Sequence, residues 1–148
     1  MKDEKQLKVT EKDIVDSFGG GKYEEYKQEA QERWGEDTVK RSENIVKGMS
    51  KEQLEKIKSE GGEINKALVE NMGKGVSSPE VQAIIDRHFH HIIQFYDPTW
   101  PLLKIYRGLG KMYVEDPRFA ANYTVYHPDL AQFMCDAMEV YCDRKESE

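Results

Sequence analysis

The chain has 148 residues, a formal charge of −6 at pH 7 and a sequence pI near 5.3. Hydrophobic residues make up 38% of it, which is enough for the core of one domain, but no apolar run approaches the roughly 18 residues that a membrane span needs. The acidic balance argues against direct contact with nucleic acid, because such binding draws on a basic surface.

The N-terminus and the cysteines indicate a compartment. Met1–Lys5 contains charged residues and no apolar segment, so no signal peptide is expected. Cys135 and Cys142 are too few for a disulfide framework, and on one helix they would lie about 10 Å apart, beyond disulfide reach. These features favour a reduced, cytoplasmic protein without a membrane contact.

The first third of the chain predicts three helices. The first covers about residues 4–18 and is followed by Gly19–Gly21, whose backbone freedom predicts a hinge or linker. An amphipathic helix is predicted for Tyr23–Trp34 and a third for Asp37–Lys47, with Asp37 as its cap. Alternation typical of strands is nearly absent here and in the rest of the sequence.

Capping signals mark the starts of the later helices. They are, in chain order, Ser50 with Gln53, Ser78 with Pro79, Asp116 with Pro117, and Pro128. Gly61–Gly62 falls within the first of these helices and predicts a break or a kink. The sequence therefore predicts an all-α fold of about seven or eight helices.

Apolar residues are concentrated in the second half of the chain. Residues 79–143 carry enough of them to form a helical core, whereas residues 1–62 carry few. We therefore expect one ligand-binding domain over residues 1–148, in which residues 1–62 form a thinner N-terminal layer. That layer should be mobile without a ligand, because it has few apolar anchors.

Catalytic and metal-binding patterns are weak. His88 and His91 share a helix face, but no third ligand stands at a fixed spacing, so metal binding is the less favoured alternative. Asp136, Glu139 and Asp143 surround the cysteines and disfavour a reactive thiolate. No hydrolase motif is present. We expect no enzymatic activity, no cofactor and no metal site.

Aromatic residues are more frequent than a small helical domain requires. Tyrosine and tryptophan combine an apolar ring with a polar group, which suits a pocket for a large, partly polar ligand. Ordinary core packing is the competing interpretation for most of them. The residues that we expect to line such a pocket are Tyr26, Trp34, His88, Phe95, Tyr96, Tyr106, Met112, Tyr113 and Phe119.

Several blocks of the sequence resemble the TipAS antibiotic-recognition domain. Tyr23–Tyr26 with Ala30–Gly35 is similar to its N-terminal signature, and Arg107–Phe119 is similar to its most distinctive block. His88–Tyr96 and Leu130–Ala137 fit in the same order. The resemblance covers about residues 7 to 143.

The resemblance implies a globin-like, all-α bundle with a deep ligand cleft between its helices. Such domains bind bulky peptide-like antibiotics, thiopeptides among them, as the effector domain of MerR-family transcriptional regulators or as stand-alone drug-sequestering proteins. This sequence has no basic DNA-binding half ahead of the domain, so we expect either a stand-alone binder or a fragment of a longer regulator. Whether it forms a homodimer is open.

Two positions depart from the thiopeptide-binding pattern. The cysteine that traps the ligand's dehydroalanine is replaced by Gly108, and a second cysteine of those binders is replaced by Pro98. These replacements argue against covalent capture and leave the ligand's identity open. The alternative to a ligand-binding domain is a helical protein–protein interaction or dimerisation module.

Overall fold

The computed structural model describes residues 8–17 and 23–148, which fold into eight α-helices. These are α1 (Glu11–Ser17), α2 (Tyr23–Trp34), α3 (Glu36–Lys47), α4 (Lys51–Asn71), α5 (Pro79–Ile92), α6 (Leu102–Glu115), α7 (Pro117–Thr124) and α8 (Leu130–Glu146). The all-α prediction is confirmed. In the described residues, the only paired extended backbone is an isolated bridge between Lys8 and Ser50. The predicted hinge at Gly19–Gly21 lies outside the described residues.

Three predicted helix starts are confirmed by their capping hydrogen bonds. The Ser50 and Gln53 side chains each accept a bond from the other's backbone N–H, at 3.2 and 2.9 Å. Ser78 Oγ accepts from the N–H of Val81 at 3.2 Å, and Asp116 Oδ1 accepts from the N–H of Arg118 at 3.0 Å. These local bonds set the starts of α4, α5 and α7.

Other helix boundaries differ from the predictions. Helix α3 begins after Gly35, a residue with φ of 93°, so Asp37 lies in its first turn and is not its cap. Helix α8 begins at Leu130, two residues after Pro128. Helix α4 continues through Gly61–Gly62 without a break. A cost of about 1 kcal/mol per glycine is small enough for the surrounding helix to absorb.

The described chain divides into two compact units. Unit 1 contains the described residues up to Lys58 together with Phe95–Asp97, and unit 2 contains Ser59–Gln94 together with Pro98–Glu148. Each unit has its own hydrophobic cluster.

Unit 1 contains α1, α2, α3 and the first part of α4. Its cluster consists of Val9, Ile14, Tyr23, Val46 and Leu54, with Met49 and Phe95 packed against it. The Tyr23 hydroxyl donates to Glu43 Oε1 at 2.6 Å, and Lys27 Nζ lies 2.9 Å from the same oxygen. This pair of contacts connects α2 to α3, and the cluster stabilises both helices.

Unit 2 contains the larger core. Its buried members are Ile64, Leu68, Val81, Ile85, Tyr106, Tyr113, Leu130, Met134, Ala137, Met138, Tyr141 and Cys142. They come from α4, α5, α6 and α8, while α7 contributes the partly buried Phe119 and Tyr123. Burial of large apolar side chains contributes about 1.5–3 kcal/mol each, so this cluster is the main source of stability in unit 2.

Helices α6 and α8 pack closely in unit 2. A Cβ at Gly110 would lie 3.3 Å from the Met138 sulfur, so the absence of a side chain allows this approach. Arg107 donates to Glu139, and also to Asp143 at 2.9 Å and Glu146 at 3.3 Å. One guanidinium on α6 therefore forms ion pairs with three carboxylates on α8.

Candidate functional site

Four of the predicted pocket residues belong to unit 1. Tyr26 is half-buried on α2, and Trp34, the last residue of that helix, is 50% exposed. The Arg33 guanidinium lies 5.5 Å from the centre of the Trp34 ring, within cation–π range. Phe95 packs against the hydrophobic cluster of unit 1, and burial raises the pKa of the adjacent Tyr96. Trp34 is the predicted residue of this group with the largest exposed fraction.

The other five belong to unit 2 and are mostly buried. His88, Tyr106, Met112 and Tyr113 are buried, and Phe119 is partly buried against the core. In this conformation the fully buried Tyr106 ring has no surface to offer a ligand. Each unit thus contains its own subset of the predicted residues, and His88 and Tyr106 of unit 2 are in direct contact.

An aromatic cluster surrounds Tyr106 in unit 2. The centre of its ring lies 5.1 Å from that of Phe89, 5.4 Å from His88 and 5.9 Å from Tyr141. These are tilted or edge-to-face pairs, the geometry that ring quadrupoles favour. The rings of this cluster fill space in the core and hold α5, α6 and α8 together.

His88 and Tyr106 form a buried polar pair within this cluster. The distance between His88 Nδ1 and the Tyr106 hydroxyl oxygen is 2.6 Å, a hydrogen bond. Burial, with a smaller contribution from the nearby His91, lowers the pKa of His88 from 6.5 to about 3. The imidazole is therefore neutral at physiological pH, and Tyr106 provides its polar contact.

We expect acid to destabilise the fold through His88. The unfolded chain takes up a proton near the ordinary pKa of 6.5, whereas the folded chain does so only near pH 3. The contribution of His88 to the free energy of unfolding is fully present above pH 6.5. Below that pH it falls by about 1.4 kcal/mol per pH unit. Urea unfolding at pH 7 and pH 5 should show a loss of about 2 kcal/mol.

A change in stability between pH 6.5 and 5 reports on His88 and not on the carboxylates, because carboxylates titrate mainly below pH 5. Replacing His88 with glutamine should remove the slope between pH 6.5 and 5, whatever it does to the absolute stability. Replacing the exposed His90 with glutamine is the matched control and should preserve the slope. An unchanged slope in the His88→Gln variant would contradict the assignment.

The cysteines have no features of a reactive nucleophile. Both are free thiols, Cys142 buried and Cys135 half-buried. Burial raises the pKa of Cys142 to about 11, and burial together with Asp136 and Glu139 raises that of Cys135. The Cys142 thiol donates a weak bond to the Leu103 carbonyl at 3.5 Å. Thiolate formation is disfavoured at both positions.

Sequence reasoning missed the polar contacts that Tyr141 and Gln82 make in unit 2. The Tyr141 hydroxyl donates to Asp86 Oδ1 at 2.6 Å, joining α8 to α5. Gln82 Nε2 donates to the carbonyl oxygens of Val76 and Ala137, at 2.7 and 3.1 Å. Gln82 and Ala137 are 55 residues apart in sequence, so no local pattern could reveal their contact. Tyr141 and Asp86 are also 55 residues apart in sequence.

The described residues contain neither a metal-binding cluster nor a membrane-spanning helix. Among residues 8–17 and 23–148, no group of three or more His, Cys, Asp or Glu side chains is arranged to hold a metal ion. No helix within those residues is long and apolar enough to cross a membrane.

One known protein family matches most of this chain. The model of the TipAS antibiotic-recognition domain matches residues 26–141, which include α3 to α7 complete and most of α2 and α8. The chain belongs to the TipAS antibiotic-recognition domain family. The resemblance inferred from the sequence blocks is thereby confirmed.

A solved structure supports the same assignment of this TipAS domain. TipAS from Streptomyces lividans in complex with nosiheptide, described as part of a thiopeptide antibiotic multidrug resistance system, matches with a TM-score of 0.75 and 26% identity. The match covers 94% of this chain and 98% of that chain.

Two curated relatives of this TipAS domain are transcriptional activators. The HTH-type transcriptional activator mta of Bacillus subtilis is 31% identical over 82% of this chain and 47% of its own length. The HTH-type transcriptional activator TipA of Streptomyces coelicolor is 29% identical over 89% of this chain and 53% of its own length. The chain spans about half the length of the curated relatives it matches.

Proposed function

We propose that this TipAS domain binds a bulky, multi-ring peptide antibiotic or a small molecule of similar size, without catalysing a reaction. The match over nearly the whole chain to TipAS in complex with nosiheptide is the observation that supports this most directly. The domain would serve in the cytoplasm either as the effector-sensing part of a MerR-type transcriptional regulator or as a drug-sequestering protein.

Noncovalent recognition is the mechanism that the chemistry of the chain favours. The family's trapping position is Gly108, and the raised pKa values of Cys135 and Cys142 keep both thiols protonated. Binding would then rest on burial of the ligand's rings against aromatic side chains. Tyrosine and tryptophan provide large contact areas at low entropic cost. The candidate residues with exposed or partly exposed rings are Tyr26, Trp34, Phe95, Tyr96 and Phe119.

A thermal unfolding titration with nosiheptide tests the proposed function. A ligand that binds only the folded chain adds about 2.7 kcal/mol of stability at a free concentration of 100 Kd, and the melting temperature rises accordingly. Calorimetric titration should give the affinity, and intact-protein mass spectrometry should show no adduct. Absence of a shift with nosiheptide and with a panel of other peptide antibiotics and polyaromatic drugs would contradict the proposal.

Trp34 is the candidate contact best suited to a mutational test. Its side chain is half exposed, so replacement with alanine should cost little stability while removing a large ring from the ligand contact. We expect the nosiheptide Kd to rise by at least about 30-fold, the loss typical of a binding hot spot. Tyr126→Ala, which removes another exposed ring, is the control and should retain affinity. Equal affinities for Trp34→Ala and the unmodified chain would remove Trp34 from the site.

Exposed apolar side chains in unit 2 favour a second candidate, a protein interaction or dimerisation module. Val125 is 79% exposed, Val114 is 40% exposed, and Tyr126 is also exposed. Such side chains mark interaction surfaces when they form a contiguous patch. Sedimentation over a hundredfold range of concentration distinguishes the candidates, since a dimerisation module shows concentration-dependent mass without any antibiotic.

A further inference from the structure

Unit 1 includes a short segment that is distant from the rest of it in sequence. Phe95–Asp97 belongs to unit 1, while Gln94 before it and Pro98 after it belong to unit 2. The segment lies in the connection between the end of α5 at Ile92 and the start of α6 at Leu102. Unit 1 therefore includes residues that are joined by two residues to the end of α5 and by four residues to the start of α6.

Phe95 and Asp97 of this segment both contact other residues of unit 1. Phe95 packs against the cluster formed by Val9, Ile14, Tyr23, Val46 and Leu54. The Asp97 carboxylate lies 3.6 Å from the Arg41 guanidinium of α3. The first contact is apolar, and the second is a partly exposed ion pair, so we expect Phe95 to contribute more to the attachment than Asp97.

We propose that Phe95–Asp97 is a clasp that couples order in unit 1 to the connection between α5 and α6. When α2 and α3 are folded, their cluster holds Phe95 in place and restrains the backbone on both sides of it. When they loosen, Phe95 loses its contacts and the first turn of α6 gains freedom. The coupling is reciprocal, because one free energy links the two events. This coupling requires no ligand, so it does not depend on the proposed function.

The clasp offers a means of communication within the domain. An event that orders unit 1 tightens the α5–α6 connection through continuous backbone, and an event that disorders unit 1 releases it. Local unfolding equilibria of this kind can connect distant sites without a change in the folded structure of either one.

Native-state amide hydrogen exchange on the full chain tests the clasp in one direction. Phe95→Ala should accelerate exchange of the α2 and α3 amides by about tenfold or more, and leave the α8 amides unchanged. Phe133→Ala, which truncates a partly buried phenylalanine of unit 2, is the matched control and should accelerate α8 but not α2 and α3. Asp97→Asn, a milder change, should accelerate α2 and α3 by about twofold, a small effect typical of an exposed ion pair.

A substitution that destabilises unit 1 at a position outside the clasp tests whether loss of order in unit 1 reaches the first turn of α6. Tyr23→Phe removes the hydroxyl that donates to Glu43, and should accelerate exchange of α2 and α3 by about tenfold. The Ile105 amide, which bonds to the Pro101 carbonyl at 3.0 Å in the first turn of α6, should accelerate with them. The proposal is overturned if Ile105 exchange is unchanged in Tyr23→Phe, or if both Phe95→Ala and Asp97→Asn leave α2 and α3 unchanged. It is also overturned if these two helices exchange at random-coil rates in the unmodified chain.

Discussion

Replacing Tyr106 with alanine should lower the free energy of unfolding by about 4 kcal/mol, the typical cost of removing a buried ring. The Tyr106 side chain is fully buried at the centre of the cluster formed by Phe89, His88 and Tyr141. Its loss leaves a cavity and removes the hydrogen-bonding partner of His88. Urea unfolding monitored by circular dichroism measures the change, and the melting temperature should fall by roughly 10 °C.

The Tyr106→Phe variant distinguishes the contribution of the ring to stability from that of the hydroxyl. This variant keeps the packing but leaves His88 Nδ1 without the hydroxyl, so we expect a smaller loss of about 1–3 kcal/mol. A stability loss below 1 kcal/mol in Tyr106→Ala would show that the ring is not needed for the core. In that case Tyr106 would return as a candidate for direct ligand contact.

Introducing a cysteine at Gly108 should convert reversible binding of nosiheptide into covalent capture. The family resemblance places the cysteine that traps the ligand's dehydroalanine at this position. Gly108 is exposed on α6, and a Cβ there meets no atom within 4 Å, so the thiol fits without strain. Lys104 and Lys111 lie four residues before and three after it on the same helix face, which favours the thiolate.

The chemical step is a simple addition. The thiolate sulfur bonds to the β-carbon of the dehydroalanine, the carbon–carbon double bond becomes single, and the α-carbon takes up a proton. No oxidant or leaving group is involved. Intact-protein mass spectrometry should show Gly108→Cys heavier by one whole antibiotic molecule, while the unmodified chain shows no gain.

A second cysteine variant controls for nonspecific reactivity. A Cβ at Gly73 also meets no atom within 4 Å, so Gly73→Cys places a thiol elsewhere on unit 2. Both variants should react with iodoacetamide, but only Gly108→Cys should react rapidly with nosiheptide. Equal rates with nosiheptide at the two positions would mean that the ligand does not bind beside α6.

Local chemistry explains most of what was predictable about the fold. Ser50 with Gln53 and Ser78 with Pro79 each complete a hydrogen-bonding pattern within a few residues, so helix starts follow from the sequence. The prediction failed at Asp37, where Gly35 with its positive φ precedes the helix. It also failed at Gly61–Gly62, where the helix continues despite its weak local propensity.

The candidate site was less predictable, because side-chain burial depends on residues far away in the chain. Trp34 and Tyr106 are both predicted pocket residues, yet one is half exposed and the other fully buried. The difference arises from Phe89 and Tyr141, which approach Tyr106 from other helices. The role of the predicted residues in ligand contact stays a prediction.

The sequence by itself determined the all-α class, several helix starts and the family, because periodicity, capping and motif blocks are local properties. Only the tertiary structure decided that His88 is neutral against Tyr106, and that Phe95–Asp97 belongs to unit 1. Both depend on residues brought together across 18 or more positions of the chain. Long-range packing sets burial, and burial sets protonation, so neither could be derived from the spacing of residues alone.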